Sequence, residues 1–388
     1  MNGPALKIIQ PGMLSTIQDR GRYGYQRFGM PTAGAMDTFA LRAANALLGN
    51  DDNAACIEAT VLGPRVEILV DIRIAITGAD LSPRLNGEPL PMWTAVRAGK
   101  GDTLDFGGPA DGVRAYIAVS GGIDVPQVMG SRATYMKAAI GGIDGKPLRA
   151  GDILNVDGTD STGADAEARP DGIMPQDAIP QYGSEHVARV VLGPQDASFT
   201  AKGINTLLSA PYTVSINSDR MGYRLEGDPI EHVDGADVIS DGTPLGTIQV
   251  PGDGQPIILL ADRGTTGGYT KIATVISPDL SKIAQAMPGH TISFRAVTVE
   301  EAQAAYRVQE RLLASIRSGG GVTDGAAPRI ALVMDDTISD ILDGDGEPLT
   351  LPAAVGEQVG THSGTSRIGG ATYEFEITVR RMGNSEID

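Results

Sequence analysis

The chain has 388 residues, with 51 Gly, 24 Pro and only 4% aromatic side chains. That length exceeds one ordinary core, and so much Gly and Pro excludes an all-helical fold and predicts many short strands joined by tight turns. With 31 basic against 48 acidic side chains the net charge is −17, which repels phosphate backbones and anionic membranes, so neither nucleic acid nor a membrane is expected as a partner.

The first residues lack the apolar stretch of a signal peptide, and no apolar run approaches the roughly 18 residues of a membrane span. Cys56 is the sole cysteine, which forbids an intrachain disulfide and any multi-cysteine metal site; a cytoplasmic protein is expected. A dense polar and Gly segment from Gln18 to Gly24 and on from Gly29 to Asp37 comes first. Asp37 as N-cap and Gly49 as terminator then predict a helix over 37–48. Apolar β-branched runs at Val66–Thr77 and Val113–Val119 predict strands. Residues 157–186, acidic and without apolar periodicity, read as a linker or long loop. Strands follow at Val187–Leu192, Gly246–Val250, Pro256–Ala261 and Thr291–Val297, with a helix over 278–287 opened by Ser277 and Pro278. The capping box Thr298-x-x-Glu301 opens a helix over 298–316. Residues 318–328, rich in Gly, isolate a tail in which Tyr373, Phe375, Ile377 and Val379 alternate with polar residues as in a strand.

Ile17–Gly29 and Ile216–Gly227 echo each other, so a duplicated β domain is expected: 1–156 and 187–317, with 329–388 as an extension. A cleft between two such halves is the default place for a ligand.

The common chemical signatures are missing: no P-loop, no G-x-G-x-x-G after a strand, no H-E-x-x-H and no G-x-S-x-G. His186, His232, His290 and His362 stand far apart in turn-like contexts and read as exposed loop residues, and no metal site is readable. Met136-Lys137 lacks the flanks of a biotin-acceptor hairpin. The informative stretch is Ala261-Asp-Arg-Gly-Thr-Thr-Gly-Gly-Tyr-Thr-Lys271, at the end of an apolar strand. Its guanidinium and ammonium suit a carboxylate, and its hydroxyls and bare amides suit an oxyanion. Asp219-Arg220 is readable either as a ligand contact or as a structural ion pair, and Asp37 either as a ligand contact or as a helix cap.

Gly12–Tyr25, Gly34-Ala-Met-Asp37, Leu62-Gly-Pro64, Thr77-Gly-Ala-Asp80, Ala118–Ile123, Gly130-Ser-Arg132, Ser218–Gly227, Gly246–Pro251, Gly254-Gln-Pro256 and Ala261–Lys271 together resemble the biotin-dependent carboxyltransferase family. Its members include the C subunit of the prokaryotic 5-oxoprolinase, also described as KipA, and the carboxyltransferase domain of urea carboxylase (urea amidolyase). The resemblance implies a mainly β fold of tandem cyclophilin-like β-barrel domains with a few short helices, plus a small C-terminal β extension. It also implies a hetero-oligomer in which two further proteins, one KipI-like and one LamB/YcsF-like, join this chain to open the 5-oxoproline lactam. ATP would be used through the assembled complex.

Two alternatives stand beside that expectation. One is a carboxyltransferase component acting on urea or a related amide, with carboxybiotin on a separate carrier. The other is a non-catalytic regulator binding a KipI-like kinase inhibitor. Activating a poorly reactive amide places negative charge on an oxygen while a cation holds the substrate. On that ground Arg263 and Lys271 are expected as anion clamps, Thr265, Thr266 and the amides of Gly267 and Gly268 as oxyanion donors, and Tyr269 as a hydrogen-bonding wall. Asp219, Arg220 and Asp37 are further substrate contacts expected from the facing domain.

Overall fold

Short apolar runs in the first 156 residues fold as two antiparallel sheets that close on one core. One runs in the order Ile123–Asp124, Ile153–Val156, Gly3–Gln10, Arg65–Ile68, Thr103–Phe106, Pro83–Leu85, Glu88–Pro89. The other runs Leu14–Gln18, Cys56–Thr60, Asp111–Val119, Ile72–Asp80, Ala95–Ala98. Leu6, Ile8, Val66, Ile68 and Leu104 from the first meet Ile17, Ile57, Ile74, Ile76 and Ile117 from the second. The run expected as one strand, Val66–Thr77, breaks between Ile68 and Ile72 and its two parts enter different sheets.

The second half closes completely. Glu185–Leu192, Thr291–Ala296, Tyr212–Val214, Gly222–Glu226, Ile257–Leu259, Thr247–Val250 and Thr266–Val275 pair in that order. The last returns to the first through Val190↔Val275 and Leu192↔Ala273, giving a seven-stranded barrel with no free edge. Ile248, Ile258, Ile272 and Ile292, none of them solvent-exposed, fill it. Beyond the barrel wall the first residues of Thr266–Val275 flare away and pair instead with Asp237–Gly242. Mainly β, with tandem barrel-like halves and four helices among the described residues, the fold is of the class expected.

Described are residues 3–156 and 172–318, and the backbone of two paired strands, Gly360–Ile368 and Ala371–Val379, in this computed structural model. Residues 1–321 form one compact unit and 322–388 another. Residues 157–171, most of the Gly-rich segment 318–328, and the side chains of His362 and of the tail strand lie outside the described residues. Within the first unit, the later part of the acidic stretch packs down: Ala95 N donates to Gly172 O at 2.8 Å, and Met174 is buried beside Trp93.

Helix Thr38–Leu48 begins where expected, with the Asp37 carboxylate accepting Ala40 N at 2.9 Å, and ends at Gly49, whose φ is 70°. Together with Val299–Arg317 it covers the outer face of the five-stranded sheet, burying Phe39, Leu47, Leu313 and Ile316 around Trp93. The helix expected over 278–287 is shorter: a 3-10 turn at Ser277–Asp279 runs into Leu280–Ala284, and Ser277 makes no side-chain cap. Among the described residues no helix is long and apolar enough to cross a membrane.

Candidate functional site

A cleft of about 340 Å³ opens where the two halves of the first unit face each other. Gln26, Pro31 and Thr32 form one wall; Gly242–Pro244 and Arg263–Thr265 form the other. The second wall is built at the base of the flare, where Thr243 N donates to Thr265 O at 3.2 Å and the Thr243 hydroxyl bonds Gly264 O. Arg263 is held by its own wall, donating through Nε to Thr243 O at 2.7 Å and through Nη1 to Leu260 O at 3.3 Å. The same Nη1 reaches Thr32 Oγ1 across the cleft at 3.3 Å. Its Nη2 has no hydrogen-bond partner among the described residues. Burial pulls the Arg263 pKa below the usual arginine value, and Tyr23 nearby opposes the shift. A guanidinium fixed on one edge and bare on the other can take an anion at little ordering cost.

Of the residues expected at the site, Arg263 and Thr265 alone line this cleft. Thr266, Gly267, Gly268 and Tyr269 are not in an open loop; they belong to the flared strand, in register with Asp237–Gly242. A Cβ at Gly267 would stand 2.4 Å from Gln249 Nε2 and 3.1 Å from Thr243 Cγ2, so the ends of those side chains would have to move. Tyr269 is 41% exposed, and its carbonyl accepts from Gln249 at 3.3 Å. Lys271 is wholly buried further along the strand, with Nζ 3.4 Å from Gln195 Oε1 and 3.6 Å from Asp241 Oδ2. It does not face the cleft.

The three contacts expected from elsewhere lie in or beside the seam between the halves. Asp37 is fully buried, with one oxygen capping its helix and the other accepting Gln285 Nε2 at 2.9 Å, and it does not line the cleft. Burial raises its pKa. Asp219 is exposed and closes a turn through Met221 N at 2.7 Å. Arg220 is buried against Glu58 and Asp262. Burial opposes its charge, but those two carboxylates hold its pKa above the usual arginine value. Gln285 Oε1 accepts Val113 N and Arg114 N at 2.9 and 2.8 Å, and Arg114 donates to Tyr223 Oη at 2.7 Å, so the seam is polar as well as apolar. Met36 of the first half is buried among the barrel's core residues.

His186, His232 and His290 differ from the expectation of exposed loops. His186 is 4% exposed and stacks on His290, with Nε2 and Nδ1 3.3 Å apart. His232 packs on Phe199 and bonds Val250 O and Thr270 Oγ1, each at 3.1 Å. Among the described residues no group of three or more His, Cys, Asp or Glu is placed to hold a metal ion.

The family described as carboxyltransferase domain, subdomain A and B, matches residues 28–296, which takes in every residue named in the cleft walls but Gln26. The chain belongs to that family. Among similar proteins, the 5-oxoprolinase C subunit of Escherichia coli (strain K12) is 38% identical over 308 residues, 79% of this chain and 96% of that one. The urea amidolyase of Saccharomyces cerevisiae is 33% identical over 80% of this chain but only 18% of its own length. The solved urea carboxylase of Kluyveromyces lactis superposes with a TM-score of 0.75 at 28% identity, covering 83% of this chain and 30% of that one. In this carboxyltransferase-family chain, reading the sequence missed Gln26, Thr32 and Thr243. The first two sit in or beside the Gly-rich segments already singled out before helix Thr38–Leu48. Thr243 follows an ordinary polar strand and carries no signal of its own.

Proposed function

We propose that this chain is the C subunit of a cytoplasmic, prokaryotic ATP-dependent 5-oxoprolinase. A KipI-like protein and a LamB/YcsF-like protein would act with it to open the 5-oxoproline lactam to glutamate. One observation carries the reading: the 5-oxoprolinase C subunits of Escherichia coli and Haemophilus influenzae are 38% and 39% identical to this chain, against 33% and 31% for the urea amidolyases. The free Nη2 of Arg263 suits the carboxylate of a small lactam. Thr265 lines the same cleft, and its hydroxyl suits the carbonyl oxygen as negative charge develops there. Among the described residues that line the cleft Arg263 is the one basic side chain, which suits a single carboxylate, and ATP would be used through the assembled complex.

The test is 5-oxoproline-dependent ATP hydrolysis by the chain reconstituted with its KipI-like and LamB/YcsF-like partners, with urea as control. Turnover is expected to need all three chains. Arg263→Ala is expected to lower kcat/KM by about 100-fold or more in a complex that still assembles. Wild-type rates from that variant would remove the cleft from the chemistry. Carboxyl transfer to urea or a related amide is the second reading, favoured by the urea amidolyase relatives. Carboxybiotin on a separate carrier would there supply the activated carboxyl group. Turnover of urea in the presence of that carrier, with silence toward 5-oxoproline, would replace the first reading with the second.

A further inference from the structure

The two cleft walls belong to different halves of the first unit, and across the opening Arg263 donates to Thr32 Oγ1 at 3.3 Å. Behind that contact one side chain is bonded to both. Arg220 stands on the barrel side, where Asp262 N donates to its carbonyl at 2.9 Å and Leu260 N donates to that of Met221. Its Nε and Nη2 each lie 3.2 Å from an oxygen of Asp262, the residue immediately before Arg263. Nη2 also donates to Gly34 O, two residues after Thr32, and Nη1 donates to Glu58. The other oxygen of Glu58 accepts Met36 N at 2.9 Å and the Tyr116 hydroxyl at 2.7 Å, and Tyr116 Oη in turn accepts Asp37 N. The segment that carries Thr32 is thus tied directly at Gly34 and, through Glu58, at Met36, and the segment that carries Arg263 at Asp262, to the same buried guanidinium.

We propose that Arg220 is a positioning residue that sets the spacing of the two cleft walls. This rests on the reading of the cleft as the ligand site. Net stability is a poor reason for such a cluster, because a buried ion pair is often no more stabilising than a well-packed apolar replacement. What the planar fork supplies is direction: four donor–acceptor contacts fixed in one plane, which the point charge of a lysine cannot reproduce. Gly34 fits the same purpose, since its φ of 84° and its approach to Arg20 and Gly21, where a Cβ would stand 2.8 Å from their backbone, aim its carbonyl with no room for a side chain.

The test places spin labels on both sides of the opening in the full-length chain, at Arg27→Cys and Ser240→Cys, both at exposed positions. The native Cys56 does not compete, being buried with its thiol pushed up to about 12. A single narrow interlabel distance is expected with Arg220 intact, and a broadened or shifted distribution in Arg220→Lys and in the isosteric Glu58→Gln, each checked for cooperative unfolding. In the reconstituted complex, KM is expected to rise about tenfold with kcat changed by less than about threefold, since the reacting groups stay on their own wall while the grip between walls loosens. An unaltered narrow distance in both folded variants overturns the proposal whatever their activity. A broadened distance with wild-type kinetics upholds the positioning role and overturns the assignment of the cleft as the ligand site.

Discussion

His186 carries a pH dependence that can be worked out from its surroundings. Burial lowers its pKa from 6.5 to about 4, the stacked His290 adds to the shift, Lys282 reinforces it and Asp111 opposes it. Between those two values the unfolded chain binds a proton that the folded chain does not. Stability is therefore full above about pH 6.5 and falls as the pH drops toward 4. Thermal unfolding is expected to move down by several degrees over that window, and His186→Gln to flatten the slope; an unchanged slope in the variant would show that other groups dominate. At this scale the sequence was informative about types and poor about surroundings. Asp37 was legible as a cap because a cap depends on four consecutive residues. Its second partner, Gln285, lies 248 positions away, and nothing local announces it. Arg220 beside Asp219 suggested a local ion pair, yet its carboxylate partners are Glu58 and Asp262.

Elements were legible where a local rule and the tertiary contacts agree. Helix Val299–Arg317 starts at its capping box, with the Thr298 hydroxyl accepting Glu301 N at 3.2 Å and Glu301 accepting Thr298 N at 2.7 Å. It is then clamped to helix Thr38–Leu48 by Arg42, which donates to both oxygens of Glu310 at 2.5 and 2.7 Å. Thr298→Ala is expected to cost about 1 kcal/mol in urea unfolding, the usual worth of an N-cap, with activity retained in the folded fraction. A loss within error would mean that the Arg42–Glu310 clamp and the buried Leu313 and Ile316 fix the helix start without the cap. Where only the local rule was available, the reading overran. Pro278 correctly marked a start, but the helix stops at Ala284, where Gln285 serves as C-cap, its N–H donating to Lys282 O at 3.2 Å while its side chain bonds Asp37, Val113 and Arg114. The amides of Gly267 and Gly268 were read as bare oxyanion donors; here both residues lie in a strand, and a Cβ at Gly267 would meet the ends of the Gln249 and Thr243 side chains.

For the whole molecule, the division into residues 1–321 and 322–388 has a direct consequence. Ending the chain after Gly321 is expected to leave the urea midpoint and cooperativity of the first unit unchanged, because both barrel-like cores, the seam and the cleft are complete within it. A lower midpoint would show that the second unit contributes to the first. Composition, charge, the echo between the two halves and a string of glycine-rich motifs were enough to determine the fold class and the family, because each depends on residue type and short-range order along the chain. They also drew attention to Ala261–Lys271, and two of its residues, Arg263 and Thr265, do line the cleft. Only the tertiary structure decided the rest. It took Lys271 out of the cleft, made Asp37 a cap and Arg220 a buried junction, and brought Thr32 opposite Arg263. Those outcomes depend on which segments of a closed barrel and a facing pair of sheets come to rest against each other, a matter of long-range packing that no stretch of sequence states by itself.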